Sequence, residues 1–212
     1  MSANATEKVG DRVSDQQLVE RAMAGQREAY AELIRRHHSH TRGLCLSILS
    51  NGSDADDAVQ EIFVKAYSGL SAFQGRSAFS TWLYRTAVNH CLNLQLKRGR
   101  QKAESLEALS KEDAQRLQRS IGVHDIPQDS SCEDSDLVLR ALSLLRSDYR
   151  TILTLREMEG LEYKELMEVL DCSLDSVKAR LRRAREAFRG LVKAILAAGS
   201  DDTGAEQWTT KR

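Results

Sequence analysis

The sequence predicts an all-α protein whose two helical domains are joined by a flexible linker. Leu, Ala, Glu, Arg and Gln are abundant and aromatic residues make up only 5% of the chain, a composition that favours helices over strands. The 212 residues include one proline, Pro127, whereas all-β folds usually need more turn-forming residues. The 41% hydrophobic content supports a packed core, and the length suits one large domain or two small ones.

The first two helices are predicted between residues 15 and 49. Asp15 can cap the first helix, which runs to Ala24 and ends at Gly25, a residue type common just after helices. The second helix spans about 27–49, where apolar residues recur at mostly helical spacings. It ends at the turn Asn51-Gly52.

The third helix has the clearest pattern. Ser53 is a good N-cap, and the aspartates after it complement the positive end of the helix dipole. The apolar positions recur every three or four residues and are Ala55, Val59, Ile62, Phe63, Ala66, Tyr67 and Leu70. A fourth helix is predicted from about Ser77 to Lys97, and the domain holding all four helices spans residues 15–100.

Residues 101–132 are predicted to form an acidic, flexible linker with a loose helix around 104–119. The segment is rich in Ser and Gln and is interrupted by Gly122 and Pro127. The formal net charge of zero therefore hides separate acidic and basic blocks, which indicates local contact with a polyanion. The tail, residues 198–212, is predicted to be disordered.

The second domain, residues 133–197, contains a predicted helix-turn-helix. Its helical segments are 134–145, 148–158, 162–170 and 174–197. The last two are separated only by Asp171-Cys172-Ser173, a spacing typical of helix-turn-helix motifs. The expected contacts join Leu166, Val169 and Leu170 of the first helix to Leu174, Val177 and Leu181 of the second.

The last helix is strongly basic, which favours a role in DNA recognition. Its free N-terminal N–H groups suit a phosphate, and the expected exposed side chains begin at Ser176. We expect Lys178, Ala179 and Arg182 near base edges and Arg180, Arg183 and Arg185 on phosphates. A merely solvated basic face is the alternative, since charge runs usually lie on surfaces. The preceding helix and tight turn favour a recognition helix.

A second candidate nucleic-acid segment reads AFQGRSAFSTWLYRTAVNHCLN and continues into LQLKRGR. A Gly-containing polar loop is followed by Phe79, Trp82 and Tyr84, then by Asn89 and Asn93. Bases removed from a duplex need stacking surfaces and pockets, and their backbone needs cations, so these residue types suit unpaired DNA. Phe79 and Leu83 are expected in the core, whereas for Trp82 the core and stacking interpretations remain open.

No membrane or secretion signal is found. No apolar run approaches the length of a membrane span, and the N-terminus lacks the hydrophobic region of a signal peptide. The four cysteines are widely spaced without a CxxC pair. We expect a cytoplasmic protein with reduced thiols and no membrane insertion.

Catalysis and metal binding find little support in the sequence. It contains no Walker-type loop and no GxSxG motif. His37, His38 and His40, with Cys45 nearby, form only a partial ligand set, and Asp54, Asp56 and Asp57 lack the Gly and Glu of a calcium loop. We expect no catalytic residue, no metal and no cofactor, and hence no enzyme.

Two runs resemble bacterial sigma factors of the extracytoplasmic-function (ECF) group. DADDAVQEIFVKAYSGLSAFQGRSAFSTWLYRTAVNHCLN resembles their region 2, and TLREMEGLEYKELMEVLDCSLDSVKARLRRAREAF resembles their region 4. The resemblance covers roughly residues 15–100 and 133–195, in the family's order. The ordered pair of motifs is far more specific than either motif alone.

The resemblance implies a role for each surface of region 2. The third helix would dock on the coiled coil of the largest subunit of core RNA polymerase through Asp56, Asp57, Gln60, Glu61 and Lys65. The loop from Phe73 to Phe79 would capture a flipped base of the −10 element, with Arg76 and Ser77 as candidate contacts. The DNA backbone or the upstream −10 duplex would be followed by Asn89, Lys97, Arg98 and Arg100.

Region 4, by the same resemblance, would read the −35 element and rest on the flap of the second-largest polymerase subunit. Relatives are commonly restrained by an anti-sigma factor. Three positions depart from the family: Ser173-Leu174-Asp175-Ser176 replaces Pro-Val-Gly-Thr, Met167 stands where alanine is favoured, and Arg76 stands where many relatives are acidic. The alternative function is a stand-alone helix-turn-helix regulator whose first domain senses a signal or dimerises.

Overall fold

The computed structural model describes residues 13–107 and 133–201, with side chains described from 13 to 100 and from 137 to 198. Every regular element in these ranges is helical. The N-terminal block contains α1 (Asp15–Met23), α2 (Arg27–Leu49), α3 (Gly52–Gly69), a 3-10 turn (Leu70–Ala72) and α4 (Phe79–Glu107). The C-terminal block contains α5 (Glu133–Leu144), α6 (Ser147–Leu153), a π-helical turn (Thr154–Met158), α7 (Tyr163–Leu170) and α8 (Leu174–Asp201).

The helix caps differ from the expected ones at two positions. Ser14, not Asp15, caps α1: its hydroxyl accepts a hydrogen bond from the Gln17 N–H, and the Gln17 side chain accepts one from the Ser14 N–H. Helix α3 is capped by Asn51, whose side-chain oxygen accepts from the Asp54 N–H at 3.0 Å, and not by Ser53. In both cases the cap is a residue that precedes the predicted one. Its side chain caps the helix because it reaches a free N–H group of the first turn.

Helix α4 is longer than the predicted fourth helix. It begins at Phe79 and continues to Glu107, ten residues beyond Lys97, so helical backbone enters the segment predicted as a linker. No proline or turn residue pair interrupts residues 97–107, and the helix can therefore continue. The rest of that segment, 108–132, and the tail beyond 201 lie outside the described residues.

The N-terminal block is a helical bundle with one apolar core. The stripe predicted for α3 is buried at Ala55, Val59, Ile62, Phe63 and Ala66, but Tyr67 is 46% exposed. Tyr67 instead lies at the edge of the bundle, where its ring is 4.8 Å from that of Tyr30. Leu70, the last position of the stripe, is 3% exposed, so the stripe predicts the core correctly except at Tyr67.

The C-terminal block is built around α8. Its helix-turn-helix turn is closed at Asp171, which adopts left-handed backbone geometry at φ 48° and ends α7. The π-helical turn precedes α7, and in it the Glu159 N–H donates to the Thr154 carbonyl at 3.0 Å. Gly160 follows at φ 71°, a region that favours glycine, and reverses the chain into α7.

The two blocks pack against each other. Helix α4 contacts α7, and α2 contacts α6 and the π-helical turn. The buried apolar side chains of both blocks form one continuous cluster. Within the described residues, no helix is long and apolar enough to cross a membrane.

Candidate nucleic-acid interface

The loop between the 3-10 turn and α4 is anchored at both ends by buried aromatic rings. Phe73 and Phe79 are 7% and 3% exposed, and their centroids are 6.1 Å apart. Trp82, one turn into α4, lies 5.5 Å from Phe73 and 5.9 Å from Phe79. The partly buried Trp82 ring is therefore both packed on the core and reachable at the base of the loop.

The tip of this loop is open to solvent. Gly75 has φ 65°, so a side chain there would be strained, and this lets the chain turn back within a few residues. Arg76 is exposed and Ser77 is half-buried. Both side chains can therefore be reached by a ligand outside the loop. Arg76 and Ser77 thus lie at the tip of the loop, and Trp82 packs on the two aromatic rings at its base.

A cleft of about 450 Å³ lies between α3 and α4. Its lining combines residues that were predicted for two different partners, Glu61 and Lys65 for polymerase and Asn89 and Lys97 for DNA. The remaining lining residues are Thr86, His90, Asn93 and Leu94. The cleft presents two amines and two amides, which are donors for phosphates and base edges.

His90 organises the floor of this cleft. Its ring is almost fully buried, and burial, followed by the charge of Lys65, lowers the pKa of the imidazole. The Lys65 ammonium donates to Nδ1 at 2.6 Å, which requires that nitrogen to be unprotonated. Neutral His90 therefore holds the Lys65 ammonium at the mouth of the cleft. The other N–H groups of this ammonium remain available to a further acceptor. His90 was not among the predicted site residues, although its place beside Asn89 on a predicted helix was a usable signal.

The basic stretch of α4, residues 97–100, is exposed. Lys97, Arg98 and Arg100 are all exposed, as a surface that follows a DNA backbone requires. Arg98 is paired with Asp54 at the start of α3, and its hydrogen bond lowers the pKa of that carboxyl group. An exposed pair of this kind contributes only about 0–1 kcal/mol, so a phosphate can compete for Arg98.

The exposed face of α3 carries every residue predicted for polymerase binding, namely Asp56, Asp57, Gln60, Glu61 and Lys65. Asp56 is paired with Arg42 of α2 at 2.6 Å, which lowers the pKa of its carboxyl group. Val64 lies on the same face and is 67% exposed. Val64 was not among the residues predicted for polymerase binding, although its position outside the apolar stripe was a usable signal.

The helix-turn-helix forms largely as predicted. Leu166, Val169, Val177 and Leu181 are all buried at 1% exposure or less, and Leu170 is partly buried. Leu174, the first residue of α8, is 36% exposed and is not part of the apolar core, unlike the other residues predicted for this contact. The expected DNA-facing residues Ser176, Lys178, Arg182 and Arg183 are exposed, and Ala179 and Arg180 are half-buried.

Arg185 is paired with a residue outside α8, whereas Arg182 is paired with Glu186 of the same helix. The Nη2 atom of Arg185 donates to the Glu157 carboxylate at 2.7 Å and its Nε to the same oxygen at 3.1 Å. This contact raises the pKa of the guanidinium group. Arg185 is thus engaged by the π-helical turn, whereas Lys178, Arg180 and Arg183 have no ion-pair partner in the described residues.

The departures at the start of α8 have a local structural role. Ser173 caps the helix, with its Oγ accepting from the Ser176 N–H at 3.3 Å and lying 3.0 Å from the Ser176 hydroxyl. Asp175 lies in the first turn, where a carboxylate complements the helix dipole. Met167 is partly buried against the core. Ser173 and Asp175 therefore stabilise the start of α8, and Asp175 also places negative charge near the expected phosphate.

The histidines and cysteines considered as metal ligands are separated by the fold. His37 contacts Asp15 at 2.6 Å, His38 stacks on Phe63, and His40 faces Glu159. Cys45 is fully buried beside Cys91, and its hydrogen bond to Cys91, followed by burial, raises the pKa of its thiol. Within the described residues no group of three His, Cys, Asp or Glu side chains could hold a metal ion.

Comparison with known proteins matches both blocks. The family described as Sigma-70 region 2 matches residues 33–101, and Sigma-70, region 4 matches residues 135–188. The ECF RNA polymerase sigma-E factor of Haemophilus influenzae is 36% identical over 194 residues, covering 89% of this chain and 100% of the relative. The RNA polymerase sigma-H factor of Pseudomonas aeruginosa is 37% identical over 186 residues, covering 86% of this chain and 95% of the relative.

Two solved structures share the fold. The sigma factor RpoE from Bartonella quintana, solved in complex with the anti-sigma factor NepR, aligns with a TM-score of 0.62 at 24% identity, covering 77% of this chain and 96% of that one. CnrH in complex with the cytosolic domain of CnrY aligns with a TM-score of 0.57 at 23% identity, covering 85% of this chain and 97% of that one. The similarity extends through both helical blocks.

Proposed function

Because the chain belongs to the ECF group of RNA polymerase sigma factors, we propose that its two blocks, 15–100 and 133–197, divide promoter recognition between them. The N-terminal block binds core polymerase and the −10 element, and the C-terminal block reads the −35 element. The polymerase forms the phosphodiester bonds, and the protein contributes no chemical step of its own. Its place of action is the cytoplasm, where polymerase and chromosome meet.

The observation that carries this division is the position of the cleft between α3 and α4. The cleft joins the polymerase-binding face of α3 to the DNA-binding face of α4 along one continuous surface. A promoter strand bound there lies directly beside docked polymerase, so melted DNA can pass to the active centre of the enzyme. Lys65 contributes to both surfaces, since its ammonium lies at the mouth of the cleft.

Melting is assigned to the loop from Phe73 to Phe79. A base that leaves the duplex loses stacking worth a few kcal/mol, which a protein pocket must replace. The Phe73, Phe79 and Trp82 cluster supplies a fixed aromatic floor, and exposed Arg76 supplies a cation for the strand. Because the loop ends are anchored in the core, the pocket needs little ordering when the base enters.

Reading of the −35 element is assigned to α8. Lys178, Ala179 and Arg182 face base edges, and Arg180 and Arg183 contact phosphates. Restraint by an anti-sigma factor is supported by two structural neighbours, one of them solved with an anti-sigma factor and the other with the cytosolic domain of CnrY. The departure at Asp175 is expected to weaken the phosphate contact at the start of α8.

The direct test is run-off transcription. Purified protein is mixed with core RNA polymerase and genomic fragments, and transcript start sites are mapped. Initiation from a defined set of promoters that depends on the added protein supports the proposal. Tight binding to duplex DNA by the protein alone, with no initiation by core polymerase, would show instead a stand-alone helix-turn-helix regulator.

A further inference from the structure

Leu92 and Leu96 are exposed to solvent on α4, the helix that carries several of the predicted −10 contacts. Leu92 is 45% exposed and Leu96 is 62% exposed. Because they are four positions apart, they are neighbours on one face of the helix. A single exposed leucine needs no explanation, but two adjacent ones form an apolar surface. Within the described residues, the apolar core is built from other side chains of α4, so this pair is available to a partner.

The leucine pair lies between residues that are expected to contact DNA. Positions 85, 89, 92, 96 and 100 are three or four residues apart, so they share one face of the helix. We call this face the α4 stripe, and its residues, all exposed, are Arg85, Asn89, Leu92, Leu96 and Arg100. Asn89 and Arg100 are expected to follow the DNA backbone or the upstream −10 duplex. The leucines therefore interrupt a row of polar side chains at its centre.

The charge of this part of α4 favours DNA over a protein as the partner of the leucines. Residues 85–100 contain three arginines and one lysine but no acidic residue. Only Arg98 among these cations has an ion-pair partner in the described part of the chain. The centre of a protein–protein interface is depleted of charged residues, whereas a protein–DNA interface is polar and strongly positive. Two leucines surrounded by cations therefore fit a DNA surface better than an apolar protein surface.

The apolar group that a DNA duplex presents in its major groove is the C5 methyl group of thymine. This groove is wide enough to admit an α-helix. The other groups on the base edges are hydrogen-bond donors and acceptors, and a leucine that covered them would remove their hydration without replacing it. Contact with the methyl group instead removes two apolar surfaces from water. The chemistry of the leucine pair therefore selects thymine.

The position of the leucine pair along α4 sets which base pairs it can reach. Leu92 and Leu96 follow Trp82 by 10 and 14 residues. This is about 15 and 21 Å along the helix axis at about 1.5 Å per residue. Trp82 lies at the base of the loop that is proposed to capture a flipped base. A distance of about 21 Å spans about six base pairs at roughly 3.4 Å per pair, so the thymines should lie within that distance upstream of the captured base.

We propose that Leu92 and Leu96 read the methyl groups of thymines in the duplex just upstream of the captured −10 base. The inference rests on the proposed function, because it requires region 2 to lie on the −10 element. Asn89 and Arg100 hold the strand on either side of the pair, and the leucines add a preference for thymine. Burial of one methyl group corresponds to about a fourfold change in Kd.

The test compares thymine with uracil, which has the same hydrogen-bonding edge and lacks only the methyl group. Promoters are mapped by run-off transcription that depends on the added protein. Each thymine within about six base pairs upstream of the melted segment is then replaced singly by uracil. The Kd of the complex of full-length protein and core polymerase is measured for each duplex by fluorescence anisotropy. We expect about fourfold weaker binding of the wild type to at least one uracil duplex.

The variants are Leu92→Ala and Leu96→Ala, made singly and together. The double variant should bind the thymine and uracil duplexes equally, because no apolar side chain remains to contact the methyl group. Leu144→Ala is the matched control, since Leu144 of α5 is 64% exposed and lies in the other block. It should keep the wild-type ratio of the two Kd values. Far-UV circular dichroism confirms that each variant keeps its helices, and a ratio of Kd values is insensitive to a small unfolded fraction.

Several outcomes would overturn the inference. Equal binding of the wild type to thymine and uracil at every position rejects it, as does a thymine preference that the double variant keeps. Mapped promoters with no thymine in this window reject it as well. Weaker binding of the double variant to core polymerase alone would place the leucines in a protein interface instead. Normal initiation without a thymine effect rejects this inference only, whereas the absence of initiation from every fragment counts against the proposed function itself.

Discussion

Glu157 in the π-helical turn holds Arg185 of the recognition helix through two hydrogen bonds to one carboxylate oxygen, at 2.7 and 3.1 Å. Arg185 was predicted to contact a DNA phosphate. An arginine that is already paired within the protein must exchange this partner for a phosphate, so its contribution to binding is reduced.

Glu157→Ala is therefore expected to strengthen binding to −35 duplex DNA. The freed Arg185 adds a phosphate contact, which steepens the dependence of log K on log salt by about 0.9. Fluorescence anisotropy at several salt concentrations measures both quantities. Arg185→Ala should have little effect in the wild type, and in the Glu157→Ala background it should abolish the gain. A large loss of affinity from Arg185→Ala alone would show that Arg185 already binds DNA.

Arg180→Ala and Arg183→Ala are expected to weaken −35 binding and to lower its salt dependence. Each lost phosphate contact removes about one unit from the slope of log K against log salt. The same anisotropy titration measures the change, with Arg189→Ala, farther along α8, as the matched control. An unchanged slope in both variants would remove these two residues from the DNA backbone.

Trp82→Ala is expected to impair promoter melting more than promoter binding. Loss of the ring removes the floor beneath the Phe73–Phe79 loop, where stacking on a base is worth about 1–3 kcal/mol. Transcription is compared on a duplex promoter and on one with a pre-melted −10 element, using Trp82→Phe as the conservative control. If Trp82 serves only the core, the defect will be equal on both templates.

Val64→Glu is expected to weaken binding to core polymerase. Val64 lies 67% exposed in the middle of the face formed by Asp56, Gln60 and Lys65, so an added carboxylate must be desolvated on docking. Met23→Glu makes the same type of change at a 51% exposed residue of α1 and should bind normally. Affinity is measured by titrating labelled protein with core. Equal affinities for the two variants would place the polymerase on another face.

The stability of the protein is expected to fall as pH decreases from 7 toward 5, in part because of His90. Burial and Lys65 lower the pKa of His90 in the folded protein, so the unfolded state binds a proton more readily. The contribution of neutral His90 to the free energy of unfolding is present above the pKa of about 6.5 that the imidazole has in the unfolded chain. It is lost as the pH falls through the lower pKa of the folded protein. The free energy of unfolding is measured by urea titration at a series of pH values. It should change less steeply with pH for His90→Gln than for the wild type. An identical pH dependence in variant and wild type would contradict the assigned shift.

The sequence alone predicted the helices, the core of α3 and the helix-turn-helix, because each depends on local spacing. Val59, Ile62 and Phe63 recur at helical intervals, and Leu166 and Val177 follow the fixed geometry of a short turn. The ordered pair of motifs also identified the family. These features need only residues that are near one another in the chain.

Other features depend on contacts between distant residues, and sequence spacing carries no signal for them. Lys65 and His90 are 25 positions apart and meet only when α3 lies against α4. Asp54 and Arg98 are joined across 44 positions, so an arginine expected to follow the DNA backbone is paired with an aspartate of the bundle. The π-helical turn likewise could not be read from helical periodicity, because its five residues, Thr154–Met158, are too few to establish a spacing.

The sequence by itself thus determined which helices form, which faces are apolar and which family the chain resembles. Tertiary structure decided which charges remain free, that Lys65 and Asn89 share a cleft, and that Glu159 reaches Tyr84 across 75 positions. The physical reason is the range of the forces involved. Helix formation and amphipathicity are properties of neighbouring residues, whereas hydrogen bonds between blocks exist only after the chain has closed on itself.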